Sequence, residues 1–126
     1  MARREVLELP GLGHGNPIPY AVKIGSLVLT GGISGQDPAT GQVPSDPEQQ
    51  IAHAFRNMRA VVEKAGGTVD DIAKVTVHLR DMSLRQQVNV EWVKMFPDEH
   101  DRPVRHTLPS DSPTNPGIQL EMIAVL

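Results

Sequence analysis

The sequence predicts a single α+β domain, a six-stranded mixed sheet with two helices packed on one of its faces. Three observations predict it. Two segments repeat apolar residues at helical spacing, several short segments alternate apolar and polar residues, and the order reads β-β-β-α-β-α-β-β. At 126 residues the chain (residues 1–126) is one domain, long enough for one core but not two. Two helices cannot cover both faces of six strands. They are expected on one face, leaving the other to water or to partner subunits.

The first strand is expected over Arg4 to Leu9, where Val6, Leu7 and Leu9 stand among charges. Pro10 to Pro19 reads as loop, dense in Pro and Gly. Ala21 to Ile24 and Leu27 to Thr30 flank Gly25-Ser26, the pattern of a β-hairpin. Gly31-Gly32 ends the second of these strands, and Ser34 to Asp46 is loop with turn pairs Asp37-Pro38 and Thr40-Gly41. A helix then starts at Asp46-Pro47-Glu48-Gln49: Asp46 can accept from orphan amides, Pro47 fits the first helical position, and Gln49 follows the cap by three. Ile51, Ala54, Phe55, Met58, Val61, Val62 and Ala65 form its apolar face, and Gly66-Gly67 ends it. From Asp70 to Asp81, Val75, Val77 and Leu79 alternate with Lys74, Thr76 and His78, a half-buried strand. Ser83 is the expected cap of a second helix carrying Leu84, Val88, Trp92, Met95 and Phe96, stopped by Pro97. Val104 to Leu108 and Gly117 to Val125 are the last strands. The final one turns Ile118, Leu120, Met122 and Ala124 to one face and Gln119, Glu121, Ile123 and Val125 to the other. That second face is partly apolar and predicts a homo-oligomer; a monomer at micromolar concentration in light scattering contradicts this.

Composition narrows the function classes. Net charge is −3 with pI ≈ 5.9, the only basic cluster is Arg3-Arg4, and the aromatics are Phe55, Phe96, Trp92 and Tyr20. Nucleic-acid binders show basic stripes and several stacking aromatics, so no nucleic-acid partner is expected. The absence of cysteine removes disulfides and thiolate catalysis. MARREVLELPG has no apolar stretch before Pro10-Gly11, so no signal peptide is expected, and no apolar run approaches the ~20 residues that span a membrane. The expectation is a soluble, cytoplasmic protein. Gly11-Leu12-Gly13-His14-Gly15 lacks the third glycine of a dinucleotide loop and is followed by Pro17, so it reads as plain loop. His14, His53, His78, His100 and His106 show no zinc spacing, and no metal site is expected. Glu99-His100-Asp101 reads as a solvated loop.

The segment AVKIGSLVLTGGISGQDPATG (Ala21 to Gly41) resembles the signature hairpin of the RidA/YjgF family. VVEKAGGTVDDIAKVTVHLRDM (Val61 to Met82), the stretch Asn89 to Phe96, RPVR (Arg102 to Arg105) and LEMIAV near the end follow in the family's order and spacing. The resemblance runs from about Asn16 onward. It implies a chorismate-mutase-like subunit that forms a homotrimer, with sheets facing the central axis and clefts between neighbours. It also implies hydrolysis of reactive 2-enamine or 2-imine acids (2-aminoacrylate among them), by-products of pyridoxal-phosphate enzymes, to 2-keto acids and ammonia, with no metal or cofactor.

On this resemblance Arg105, in Pro103-Val104-Arg105, is the residue that holds the substrate carboxylate: a guanidinium offers a planar fork and stays charged at any working pH. Glu121 takes the place of the family's acidic residue, with the role of orienting or deprotonating the attacking water. Asn89 matches the family asparagine of the second helix. Thr107 shares Arg105's strand face, and its backbone is a candidate for the imine nitrogen or the ammonia product. Gly31 admits close approach of a ligand to the backbone. The family tyrosine falls on Ile18, leaving Tyr20 as the only nearby phenol, and the family Ser-Gly-Gln becomes Gly31-Gly32-Ile33. Hydroxyls are thus lost around a retained carboxylate anchor. The competing expectation is a non-catalytic small-carboxylate-binding or chaperone-like trimer of the same fold. Endoribonuclease activity, also associated with the family, is disfavoured by the acidic charge, the few aromatics and the lack of a catalytic His/Lys pair.

Overall fold

The computed structural model describes residues 3–13 and 15–126; His14 lies outside them. One sheet runs through the whole chain. Its strands are β1 (Glu5–Leu7), β2 (Ala21–Ile24), β3 (Leu27–Thr30), β4 (Ile33–Ser34), β5 (Ile72–Leu79), β6 (Val104–Pro109) and β7 (Ile118–Val125), with helices α1 (Pro47–Lys64) and α2 (Arg85–Met95). The spatial order is β1-β2-β3-β7-β5-β6, with β4 also on β7. The sheet is mixed: β5 and β6 are parallel across the α2 crossover, and every other pair is antiparallel.

Seven strands stand where six were expected. The additional one, β4, is two residues long, too short for a period-two pattern, and exists because β7 is long. β3 pairs with the C-terminal half of β7, and after Gly31-Gly32 the chain returns so that Ile33 faces Leu120. Gly25 has φ +58 at the first position of the β2–β3 turn, which suits a type II′ hairpin. Among the boundaries that differ from expectation, three have a local cause. The first strand contracts to Glu5–Leu7, because Leu9 opens a turn closed by Leu12. The fifth begins at Ile72, because Thr68 and Asp71 close a capping box around a short 3₁₀ turn. Ser83 does not cap α2. Its N–H and hydroxyl both donate to Asp81, which caps a 3₁₀ turn, Met82–Leu84, and α2 follows without a side-chain cap.

Both helices lie on one face and pack against each other. Ile51, Phe55, Met58 and Val62 of α1 meet Ile118, Leu120, Met122 and Ala124 of β7 and Val75, Val77 and Leu79 of β5, all fully or nearly fully buried. Fully burying one such side chain contributes about 1.5–3 kcal/mol. Buried Asn57 donates to the carbonyls of Ser34 (3.0 Å) and Gln36 (2.8 Å), tying the loop after β4 to α1. Gly35 is required there, since a Cβ would collide with the backbone of Gln50. At the start of α1, Asp46 accepts from the Gln49 amide and Pro47 occupies the first turn, as the sequence predicts. Asp46→Ala is expected to cost about 1 kcal/mol, lowering Tm by roughly 3–6 °C in calorimetry.

The opposite face of the sheet carries no helix, and its side chains sort by register into two zones. Around β1–β3 it is apolar: Val6, Val22, Leu29 and Ile123 form one row, and Ile24, Leu27 and Val125 the next. Around β5–β6 it is polar, with rows Glu121–Thr76–His106 and Gln119–His78–Leu108. Among the described residues, no helix is long and apolar enough to cross a membrane.

Candidate functional site

Arg105 sits on β6, an edge strand, and its partner across the ladder is the buried Val75. Arg105 therefore faces the helix side, where α2 receives it. Its Nη2 donates to Asn89 Oδ1 at 2.7 Å, and its guanidinium carbon lies 5.0 Å from the centre of the Trp92 ring. Trp92 is held edge-on against Phe96 (4.7 Å, 62°). The Phe96 carbonyl accepts from Arg102 Nε at 2.8 Å, which pins the chain entering β6. The cation thus rests on an aromatic floor with one arm fixed, in an arrangement built by two elements. Burial, and then the like charge of Arg85, hold its pKa below the usual arginine range. No acid partners it: among the described residues the ion pairs are His78–Glu121, Lys94–Glu91 and His100–Glu99. A half-buried guanidinium with an amide for company and no carboxylate has the chemistry to bind an anion.

The structure brings Asn89 to Arg105 and puts Thr107 on the same strand face, its hydroxyl buried without a partner. It does not bring Glu121 there. Glu121 pairs in register with Thr76, which pairs with His106, so it belongs to the open face, opposite to Arg105. Its side chain is 52% exposed, and its Oε1 lies 2.9 Å from His78 Nε2.

Gly31 and Tyr20 lie at the far end of β2–β3. The Gly31 amide donates to the Tyr20 carbonyl at 3.2 Å, and a Cβ on Gly31 would meet only open space. The Tyr20 phenol is buried without a hydrogen bond and packs on the core, and burial drives its pKa well above the phenol range. It supplies no accessible hydroxyl in the subunit. Beside it is a cavity of about 510 Å³ lined by Ile18, Tyr20, Gly32, Ser34, Thr114 and Gln119, among others. The candidate residues therefore fall into two groups, one at the β6–α2 edge and one around the start of β7. Sequence reasoning placed Trp92 only in the helix core and passed over Arg85. The spacing 85–89–92, one face of a helix, was the available signal. No cluster of three or more His, Cys, Asp or Glu suited to a metal ion occurs among the described residues.

Comparison with known proteins agrees with this fold. The family model described as Endoribonuclease L-PSP matches residues 16–125. A RutC family protein of Haemophilus influenzae is 38% identical over 112 residues, 86% of each chain. The Escherichia coli K12 protein named 2-iminobutanoate/2-iminopropanoate deaminase is 34% identical over 116 residues, 86% of this chain and 87% of its own. Among solved structures, E. coli TdcF with bound serine superposes with a TM-score of 0.83 at 32% identity, covering 97% of this chain and 98% of that one. The hairpin, the two helices and the mixed sheet are thus those of a known family, and the chain belongs to it: the RidA/YjgF family, whose model carries the description Endoribonuclease L-PSP.

Proposed function

We propose that this chain hydrolyses reactive 2-enamine and 2-imine acids to 2-keto acids and ammonia, in the cytoplasm and without metal or cofactor, in clefts between the subunits of a homotrimer. The observation that carries this reading is Arg105, a fixed guanidinium with no acid to neutralise it. The deaminase name of the E. coli relative and the serine bound by TdcF, an amino acid with a carboxylate, support it.

Arg105 and Glu121 stand on opposite faces of one sheet, so a complete site needs two chains. The apolar zone on the open face supplies the means. Rows of Val, Leu and Ile on an uncovered sheet are buried when subunits associate, and the β6–α2 edge of one subunit then meets the β3–β7 end of the next. In that cleft Arg105 grips the carboxylate, with Asn89 steadying the guanidinium. The carbon of the C=N bond lies next to the carboxylate. Glu121, held by His78, accepts a proton from water as the oxygen adds to that carbon. The nitrogen, protonated, then leaves as ammonia while C=O forms. One water is consumed and one ammonia released. β6 is an edge strand, so backbone groups near Thr107 are available to hold the nitrogen, and Gly31 opens space for the ligand opposite.

The test generates 2-aminoacrylate or 2-iminobutanoate in situ and follows its loss with and without the protein. Accelerated loss with ammonia release is expected. Glu121→Gln is expected to lower kcat on the order of 10²-fold while 2-keto acid affinity stays within about threefold. Equal loss of both assigns Glu121 a structural role. A second reading, a non-catalytic carboxylate-binding trimer, is favoured by one observation: the only phenol near the altered loop is buried, so the phenol missing at Ile18 is not replaced. Stabilisation by 2-keto acids without turnover supports that reading.

A further inference from the structure

The α2 face turned to Arg105 carries Asn89 and Trp92. One turn before Asn89 on the same face stands Arg85, the first residue of the helix. It is exposed, and its side chain has no hydrogen bond or ion pair among the described residues. Its position is unfavourable twice over. A cation at the first helical position opposes the helix dipole. A second guanidinium, Arg105, is close enough for the like charge to be felt. Glu91 pairs with Lys94, and Asp81, at the head of the preceding turn, takes the donors of Ser83 without an ion pair to Arg85. One ligand relieves both: a molecule with two acid groups.

We propose that Arg85 is a specificity-determining residue that binds a second carboxylate, so that the preferred substrates are imines of dicarboxylic amino acids. The inference rests on the carboxylate-anchoring role of Arg105. One helical turn rises about 5.4 Å, the span of a four- or five-carbon diacid. A substrate gripped at its first carboxylate by Arg105 thus lays its side chain along α2 and presents the second carboxylate to Arg85. An imine with an apolar side chain leaves Arg85 unpaired. The chemistry upstream is oxidation or transamination-type activation of an acidic amino acid, which yields such imines.

Binding and turnover are measured separately, on the full chain. Calorimetry compares 2-oxoglutarate with 2-oxobutanoate on wild type, Arg85→Gln and Arg85→Lys, with oligomeric state checked by light scattering. Wild type is expected to bind 2-oxoglutarate about tenfold more tightly, the scale of one charge-assisted hydrogen bond. Arg85→Gln is expected to bring the ratio of affinities close to one, and Arg85→Lys to retain most of it. An unchanged ratio in Arg85→Gln overturns the proposal, as does absence of any preference in wild type, failure of both acids to bind, or a change of assembly in Arg85→Gln that shows Arg85 pairing with a neighbouring subunit. Ammonia release from imines is scored independently. A diacid preference that depends on Arg85, without ammonia release, leaves this inference standing and removes the deaminase reading.

Discussion

Arg105→Ala is expected to lower kcat/KM for imine hydrolysis on the order of 10²–10³-fold, the scale of losing one preorganised charged donor in a site poor in water. Two features make the loss this large. The guanidinium is fixed before substrate arrives, by Asn89 at 2.7 Å and the Trp92 ring at 5.0 Å, so little is spent on ordering it. No second cation on β6 faces the same side, so the fork has no substitute on its strand. Arg105→Lys keeps the charge but not the planar fork or the stacking and recovers only a small part. Stability changes by about 1 kcal/mol or less in either variant, because the side chain is only half-buried and makes no ion pair. Wild-type turnover in Arg105→Ala, measured by coupled ammonia release, removes Arg105 from the mechanism.

Ile123→Asp is expected to convert the proposed assembly to monomers and to abolish activity with it. Ile123 lies on the open face in a row with Leu29, Val22 and Val6. In an isolated subunit an aspartate here faces water at little cost. Between subunits it is a charge taken out of water with only Lys74 across the ladder to offset it, a penalty of several kcal/mol per copy, repeated in every subunit. Light scattering and sedimentation are expected to show wild type as a trimer and Ile123→Asp near 13.7 kDa, with far-UV circular dichroism unchanged. A wild-type monomer that is fully active contradicts both the interface and the two-chain site.

Much of this was legible in the sequence because the signals were local. Asp46-Pro47 marked the start of α1, the steps of three and four from Ile51 to Ala65 marked its buried face, and alternation from Ile118 to Ala124 separated the two sides of β7. What escaped depended on partners distant in the chain. β4 is two residues long and exists only because β7 has free length beside it. The cap at Asp81 was passed over for Ser83 because both residue types cap, and the choice is made by a carboxylate that takes both donors of Ser83. Asn89 and Arg105 were each singled out, but their bond crosses from a helix to an edge strand. That Arg105 and Glu121 lie on opposite faces follows from counting across two ladders, Arg105 to Val75 to Met122 and His106 to Thr76 to Glu121. That parity is set by register, which residue types alone do not state.

The claim that the site is shared by two chains is tested most directly by mixing. Arg105→Ala and Glu121→Gln, each nearly inactive, are unfolded together in equal amounts and refolded. If each cleft takes Arg105 from one subunit and Glu121 from its neighbour, random assembly makes about a quarter of the clefts wild-type, and activity returns to about a quarter of the wild-type level. If the mixture stays as inactive as the separate variants while wild type treated the same way recovers, the two residues do not act across subunits and the account is wrong.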